Sequence, residues 1–213
     1  MAREHIRFSF DPLCPWCYQT SRWARQLVRL GAADVSWGLY SLELADPSSA
    51  ERARGGDARG ALALSTAWLC RARHGNEAIG AFYASLGAAV HEQGQPVQRT
   101  DVIVRALTDA GLDPSLADEA RGNSEAWAGV CAEHDDLVTR HDAIGVPAIA
   151  LDGGGGPAMF GPVLREVPED ADAVALLDHV AWLLRYENFS ELKRNRKDPD
   201  LESMRKFRAS QAG

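Results

Sequence analysis

The stretch "FDPLCPWCYQTSRW" (residues 10–23) decides the fold, because it places two cysteines three positions apart where an apolar strand meets a helix. The residues before the pair alternate between apolar and polar side chains, which predicts a short strand. Pro15 stands where the helix would begin, a position at which its missing N–H costs no hydrogen bond. Cys14 and Cys17 therefore lie at the N-terminus of a predicted helix that ends at Gly31.

Composition narrows the class of protein. The 213 residues are 46% apolar and 25% charged, which is typical of a globular chain with one sizeable core. A formal net charge of −7 argues against nucleic-acid binding, which needs a basic face. The most apolar segment (173–184) is interrupted by Asp178 and His179, so no membrane span is predicted. The N-terminal residues lack an apolar signal-peptide core, so we expect a cytoplasmic protein.

The pattern of apolar residues changes along the chain. A second alternating segment, residues 35–42, gives the N-terminal part a β-α-β order. Residues 46–141 instead show apolar residues at helical spacing, and the polar, glycine-rich segment 48–60 leads into this helical region. Two short apolar runs joined by four glycines then predict a β-hairpin over 147–162. A final helix is expected after Pro168.

These patterns predict three parts. Residues 1–45 and 142–190 form an α/β unit, and residues 46–141 form an inserted helical subdomain. Residues 191–213 form a polar, basic C-terminal tail, which we interpret as solvated, with a docking surface as the alternative.

The cysteine pair is suited to dithiol chemistry. Free backbone N–H groups and the positive end of the helix dipole favour a thiolate at Cys14. Lowering a thiol pKa from about 8.5 to about 6 raises the thiolate fraction at pH 7 from roughly 3% to roughly 90%. Cys17 lies one turn along the helix, within reach of a mixed disulfide on the first sulfur. We therefore predict that Cys14 is the nucleophile and Cys17 the resolving thiol.

The redox interpretation has two alternatives. A zinc site would need two more ligands at a matching spacing, but Cys70 and Cys131 stand alone, and His134 and His141 lie on a separate predicted helix. No metal is therefore predicted. A pair of inert core cysteines is the second alternative, since free cysteine is commonly buried. For Cys70 and Cys131, by contrast, we expect a place in the core.

The order of these elements resembles the DsbA-like branch of the thioredoxin superfamily. The fold expected is α/β, a thioredoxin fold with a large inserted helical subdomain. Only about 5–6% of X–Pro bonds in folded proteins are cis. The resemblance nevertheless implies that Pro147 is cis and faces the dithiol, and that the backbone of Val146 binds substrate.

A narrower resemblance rests on the segments "FDPLCPWC", "FYASLGAAVHEQGQ", "GVPA", "MFGPVL" and "FSELKR", which are similar to those of the mycothiol-dependent nitroreductases. It implies mycothiol as reducing co-substrate, no tightly bound cofactor, and disulfides or small nitroaromatic compounds as substrates. The first alternative is a DsbA-like protein disulfide oxidoreductase served by a thioredoxin system. A kappa-type glutathione transferase or isomerase is the second, against which Cys17 argues because a transferase needs no resolving thiol. A non-catalytic binding module is the third, and the sequence predicts no oligomeric state.

Residues around the dithiol complete the predicted site. We expect Trp16 to be exposed beside Cys14 and to stack on an aromatic substrate, with a partly buried indole as the alternative. By the resemblance, Trp68 and His91 of the helical insert lie over the active site and contact substrate, although a lone histidine is also typical of a core or surface position. Asp11 is expected to form an Asx-type turn or, alternatively, to relay protons.

Overall fold

The computed structural model describes residues 3–141, 145–195 and 201–205. Within them, the strands form one mixed sheet in the order β2-β1-β3-β4. β1 is parallel to β2 and antiparallel to β3, and β3 and β4 form the predicted hairpin. The strands are β1 (Glu4–Phe10), β2 (Ala33–Leu39), β3 (Ala148–Leu151) and β4 (Ala158–Phe160).

The helices fall into two groups. The first and last of them flank the strands, and those in between occupy the stretch predicted as a helical insert. A π-helical turn (Ala88–Glu92) extends α5, and a 3-10 turn (Asp152–Gly154) follows β3. The helices are α1 (Pro15–Arg29), α2 (Leu42–Ala45), α3 (Ala50–Arg54), α4 (Ala61–His74), α5 (Asn76–Gly87), α6 (Thr100–Asp109), α7 (Leu116–Ala120), α8 (Ser124–His141) and α9 (Asp170–Arg185). In the described ranges, none of these helices has the length and apolar character needed to cross a bilayer.

Helix α1 carries the cysteine pair and is held by its apolar face. Trp23, Ala24 and Leu27 of this helix are fully buried. The indole N–H of Trp23 donates to the carbonyl of Ala173 in α9 at 3.0 Å, which fixes the two flanking helices to each other. Burying a side chain of the size of Leu27 stabilises the fold by about 2 kcal/mol. The apolar face of α1 therefore holds the dithiol helix in the core.

Strand β2 is shorter than predicted. It ends at Leu39, and not at residue 42, because the chain turns there into α2. Ser41 is the N-cap of that helix, and its side chain accepts the N–H of Leu44 at 3.3 Å. The local hydrogen bond available to a serine side chain thus outweighs the β-pattern of the preceding residues.

The helical insert is tied to the sheet by a half-buried carboxylate, Glu133 of α8. Its side chain accepts hydrogen bonds from Arg7 of β1 at 2.6 Å and from Arg71 of α4. The backbone N–H of Leu39 donates to the same carboxylate at 3.0 Å. We call these residues the Glu133 network. It links α4 and α8 of the insert to two strands of the sheet.

Part of the C-terminal tail is docked, which corrects the solvated interpretation. Leu201 and Ser203 are fully buried. Glu202 accepts a hydrogen bond from Arg22 of α1 at 3.1 Å, and the N–H of Ser203 donates to Gln19 at 3.0 Å. An apolar side chain and a complementary charge therefore hold this segment against α1, which composition did not reveal.

The start of the C-terminal tail agrees with the prediction, and the division into three parts is not tested. Residues 191–195 are exposed, as expected of a polar tail. The division into 1–45 with 142–190, 46–141 and 191–213 remains a prediction. Residues 1–2, 142–144, 196–200 and 206–213 lie outside the described residues.

Candidate active site

Cys14 is the N-cap residue of α1. Its backbone is extended (φ −89°, ψ 109°), and its sulfur accepts the backbone N–H of Cys17 at 3.3 Å. The N–H of Cys14 itself donates to the carbonyl of Asp11 at 3.0 Å, which closes the turn before the helix. Both cysteines of the pair are free thiols. The position predicted from Pro15 is therefore the one observed.

The two thiols have opposite electrostatic environments. The hydrogen bond with the Cys17 side chain, aided by the backbone N–H groups of Cys17 and Trp16, lowers the pKa of Cys14 against the effect of its burial. Burial, together with the neighbouring Cys14, raises the pKa of Cys17 well above its ordinary value. A readily formed thiolate beside a protonated thiol is the asymmetry that a nucleophile and a resolving cysteine require.

The turn before β3 forms the opposite wall of the site. The Val146–Pro147 peptide bond is cis, so this expectation is confirmed. The Sγ atom of Cys14 lies 3.7 Å from the carbonyl oxygen of Val146, to which the thiol donates. Both Val146 and Pro147 are buried. The structure thus brings the backbone of Val146 to the nucleophile.

Asp11 lies beneath the dithiol turn and is completely buried. One carboxylate oxygen accepts the N–H of Leu13 and the other accepts the N–H of Leu42, each at 2.7 Å. Burial and, to a lesser extent, the charge of Glu43 together raise the pKa of Asp11 to about 6, against the effect of these two hydrogen bonds. Asp11 therefore forms the predicted Asx-type turn, and it also binds the first residue of α2.

His91 is brought to the active-site turn by the π-helical turn that carries it. Its Nε2 lies 2.9 Å from the carbonyl oxygen of Pro12, and the ring stacks on Tyr18 with centroids 5.5 Å apart. Because a carbonyl only accepts, Nε2 carries the proton and Nδ1 does not. Burial lowers the pKa of His91 to about 4, so the imidazole is neutral at pH 7. It contacts the backbone two residues before Cys14.

The two predicted tryptophans have different surroundings. Trp16 is half-buried against the core and not fully exposed, because its large indole gains more by packing than by facing water. Trp68 is half-buried in α4 and lies directly over Gly129 of α8, where a Cβ atom would collide with the indole. Trp68 therefore packs against α8 within the helical insert. Its place over the dithiol stays a prediction.

Two groups at the site were not foreseen from the sequence. Tyr18 donates its hydroxyl to Glu92 at 2.9 Å, beneath the His91 ring. Glu43 is buried, with only 6% of its surface exposed. Neither had a signal in the sequence, because the partners that bury them come from distant segments. Local spacing carries no information about such contacts.

The other cysteines lie apart from the dithiol. Cys70 is in the core as predicted, and burial raises its pKa to about 12. Cys131 is only half-buried, since it lines a cavity of about 780 Å³ in the helical insert together with Trp127, Arg54 and Arg121. No residue of the dithiol turn lines this cavity. Across the described part of the chain, no cluster of three or more histidine, cysteine or acidic side chains is arranged to hold a metal ion.

Known proteins resemble this chain in both sequence and fold. The family model described as "Rv2466c-like: Mycothiol-dependent nitroreductase Rv2466c" matches residues 13–194. Among curated proteins, the chain is 29% identical over 200 residues to the uncharacterized protein Rv2286c of Mycobacterium tuberculosis. That alignment covers 92% of this chain and 84% of Rv2286c.

Solved structures share the fold at low identity. The cytosolic disulfide reductase DsbM from Pseudomonas aeruginosa matches with a TM-score of 0.59 and 19% identity, over 84% of this chain and 99% of its own. A second DsbM structure, described as "with GSH", matches with a TM-score of 0.60 and 18% identity over the same shares. A 2-hydroxychromene-2-carboxylate isomerase matches with a TM-score of 0.61 and 13% identity, over 85% of this chain and 96% of its own. The predicted DsbA-like thioredoxin fold is confirmed.

Proposed function

Since the chain belongs to the Rv2466c-like family of mycothiol-dependent nitroreductases, we propose that mycothiol keeps its Cys14–Cys17 dithiol reduced. The chain is a thiol–disulfide oxidoreductase of the DsbA-like branch. The observation that carries the proposal is the asymmetry of the pair: Cys14 caps α1 with a lowered pKa, while Cys17 is buried with a raised one.

The proposed reduction of a disulfide has two steps. The Cys14 thiolate attacks one sulfur of the substrate, forming a mixed disulfide and releasing the other sulfur as a thiolate. Cys17 then loses its proton and attacks the Cys14 sulfur, which releases the second substrate thiolate and leaves a Cys14–Cys17 disulfide. The substrate gains two electrons and the protein dithiol loses two.

Recharging needs two molecules of a low-molecular-weight thiol. The first forms a mixed disulfide with Cys14, and the second releases it as the oxidised dimer, so that both protein thiols are regenerated. The family name supports mycothiol as this co-substrate, and the DsbM structure described with glutathione supports a small thiol as partner. Mycothiol acts as a substrate here, so the reaction needs no tightly bound cofactor. We place the protein in the cytoplasm, as DsbM is described to be.

A nitroaromatic substrate would need two turnovers of the dithiol. Reduction of a nitro group to a hydroxylamine takes up four electrons and four protons and releases one water. Two dithiols supply that number, and each leaves as a disulfide. Two cycles of mycothiol oxidation therefore accompany each nitro group reduced.

The surrounding residues have separate proposed roles. The backbone of Val146, beside Cys14, and the cis residue Pro147 form the wall against which substrate lies. Trp16 offers the part of its indole that is not buried to an aromatic substrate. His91 shapes the turn through Pro12 and presents an unprotonated Nδ1. Trp68, which packs on Gly129 of α8, is the substrate contact proposed for the helical insert.

The test is a reductase assay in which only the reductant is varied. With mycothiol, mycothiol disulfide reductase and NADPH, we expect steady turnover of a disulfide and of a nitroaromatic compound, abolished in Cys14→Ser and unchanged in the control Cys131→Ser. Turnover with thioredoxin and thioredoxin reductase but not with mycothiol would overturn the proposal in favour of a protein disulfide oxidoreductase. Full activity in Cys17→Ser would instead favour the transferase-like alternative.

A further inference from the structure

Glu43 is a buried carboxylate near the dithiol that has no role in the steps described above. One oxygen accepts the backbone N–H of Gly60 at 3.2 Å. The other lies 3.5 Å from a guanidinium nitrogen of Arg52 and 3.6 Å from one of Arg59. The side chains of these arginines are 49% and 68% exposed, whereas that of Glu43 is 8% exposed. The carboxylate is thus inside the protein, and its counter-charges are at the surface.

Gly60 separates Glu43 from Asp11. A Cβ atom added to Gly60 would lie 3.7 Å from a carboxylate oxygen of Asp11, and the N–H of the same glycine binds Glu43. On the other side, Leu42 precedes Glu43 in the chain and donates its N–H to Asp11. Two buried carboxylates therefore flank one glycine. Asp11 is also three residues from the nucleophile.

We propose that Glu43 is a positioning residue for the dithiol, because its negative charge, across Gly60 from Asp11, controls whether Asp11 takes up the proton that Cys17 releases. The inference rests on the resolving role proposed for Cys17. It does not depend on mycothiol being the reductant.

The distribution of charge decides which carboxylate holds the proton. Glu43 faces the guanidinium groups of Arg52 and Arg59, which compensate its negative charge. Asp11 has no ion pair among the described residues. Its carboxylate accepts two backbone hydrogen bonds, and the more distant charge of Arg59 lowers its pKa only as the smallest of several effects. Two like charges in a buried site repel strongly, and the one with weaker compensation is protonated first. The raised pKa of Asp11, caused by burial first and by Glu43 in addition, agrees with this order.

Asp11 also adjoins the dithiol, since its backbone carbonyl accepts the N–H of Cys14 at 3.0 Å. Burial is the first cause of the raised pKa values of Cys17 and of Tyr40, a buried residue after β2, and the charge of Asp11 adds to both; at Cys14 the same charge opposes the lowering of the pKa. An ionised Asp11 therefore opposes a second negative charge at the dithiol. Transfer of the Cys17 proton to Asp11 removes this opposition at the moment when the thiolate forms.

The step balances without any other reactant. The Cys17 thiol gives its proton to the Asp11 carboxylate, the Cys17 thiolate attacks the Cys14 sulfur, and the substrate thiolate leaves. A base whose pKa lies closer to that of the thiol accepts the proton with a smaller free-energy cost. By making Asp11 more basic, Glu43 reduces that cost and stays unchanged itself.

The test follows the resolution step alone. A chromogenic mixed disulfide of 5-thio-2-nitrobenzoate is formed on Cys14, and release of the chromophore is timed by stopped flow from about pH 4.5 to about pH 8. In the unaltered protein the rate should rise with pH as Asp11 ionises. In Glu43→Gln, which still accepts the Gly60 N–H, the midpoint should fall by several tenths of a pH unit and the plateau rate should fall several-fold.

Two controls make the result specific. Glu51→Gln removes an exposed carboxylate from α3 and should leave the pH dependence of the release rate unchanged. Glu43→Asp keeps the negative charge, so its pH dependence should be close to that of the unaltered protein. In an Asp11→Asn background, Glu43→Gln should change the profile no further, since the two residues act as one unit. An unshifted midpoint in Glu43→Gln, or an equal effect with and without Asp11, would overturn the inference. Because no mycothiol is present, this failure is distinct from failure of the proposed co-substrate.

Discussion

The Sγ atom of Cys14 lies 3.7 Å from the carbonyl oxygen of Val146, a residue 132 positions later in the chain. This contact joins the start of α1 to the turn that precedes β3. It places the backbone of Val146 beside the nucleophile, where the sulfur of a substrate must approach. The whole helical insert lies between these two residues in the sequence, and yet they form the two sides of one site.

The first prediction concerns the order of thiol reactivity. In reduced protein treated with iodoacetamide at about pH 6, Cys14 should be alkylated well before Cys17 and Cys70. Its pKa is lowered, whereas burial raises the pKa values of the other two. Peptide mass spectrometry after short labelling times measures this order. Faster labelling of Cys17 would reverse the assignment of nucleophile and resolving thiol.

The second prediction concerns the pH dependence of stability at His91. Its pKa falls from 6.5 to about 4 on folding, because burial disfavours the charged ring. Between pH 6.5 and pH 4 the unfolded state binds more protons than the folded state. The contribution of His91 to the free energy of unfolding therefore falls by about 3 kcal/mol as the pH falls through this range. Below about pH 4 no further loss comes from this group.

The matched variant is His91→Gln, whose amide N–H still reaches the carbonyl of Pro12. Urea titrations at several pH values should show that the difference in unfolding free energy between the two proteins changes by about 3 kcal/mol from pH 6.5 to pH 4. Taking the difference removes the opposite contribution of Asp11, whose raised pKa makes it less stabilising as pH rises from 3.8 to about 6. A difference that is constant with pH would mean that His91 is not buried as a neutral ring.

The sequence was sufficient for the parts that depend on local pattern. The strand before Cys14, the helix opened by Pro15 and the glycine-linked hairpin each have a spacing or turn signal of their own. The limit of β2 was wrong because the Ser41 cap and the Asp11 carboxylate compete with the strand pattern. The alternation of apolar residues does not indicate where such local hydrogen bonds end a strand.

Buried charges were the principal omission. Glu43 and Glu133 look like ordinary solvated acids in the sequence, because their partners come from segments far away in the chain. The docking of Leu201 and Ser203 on α1 was missed for the same reason, as their burial depends on a surface formed only in the folded protein. The composition of the tail is polar and basic, and it does not indicate that a single apolar residue, Leu201, is buried.

The third prediction concerns the Glu133 network. Glu133→Gln removes the charge that two arginines share and weakens the bond to the Leu39 N–H, so the unfolding free energy should fall by about 2–4 kcal/mol. The control is Glu125→Gln, an exposed residue of the same helix, which should change it by less than about 0.5 kcal/mol. Equal urea midpoints for the two variants would show that the network does not join the insert to the sheet.

The most direct test of the central claim is to incubate the Cys17→Ser variant, its Cys14 activated as a mixed disulfide, with mycothiol and to analyse the intact protein and its peptides by mass spectrometry. The account predicts one mycothiol adduct per chain, located on Cys14 and released by excess mycothiol. With the unaltered oxidised protein, it predicts complete reduction of the Cys14–Cys17 disulfide. An adduct on Cys131 alone, or a disulfide that mycothiol leaves intact while thioredoxin reduces it, would contradict the account.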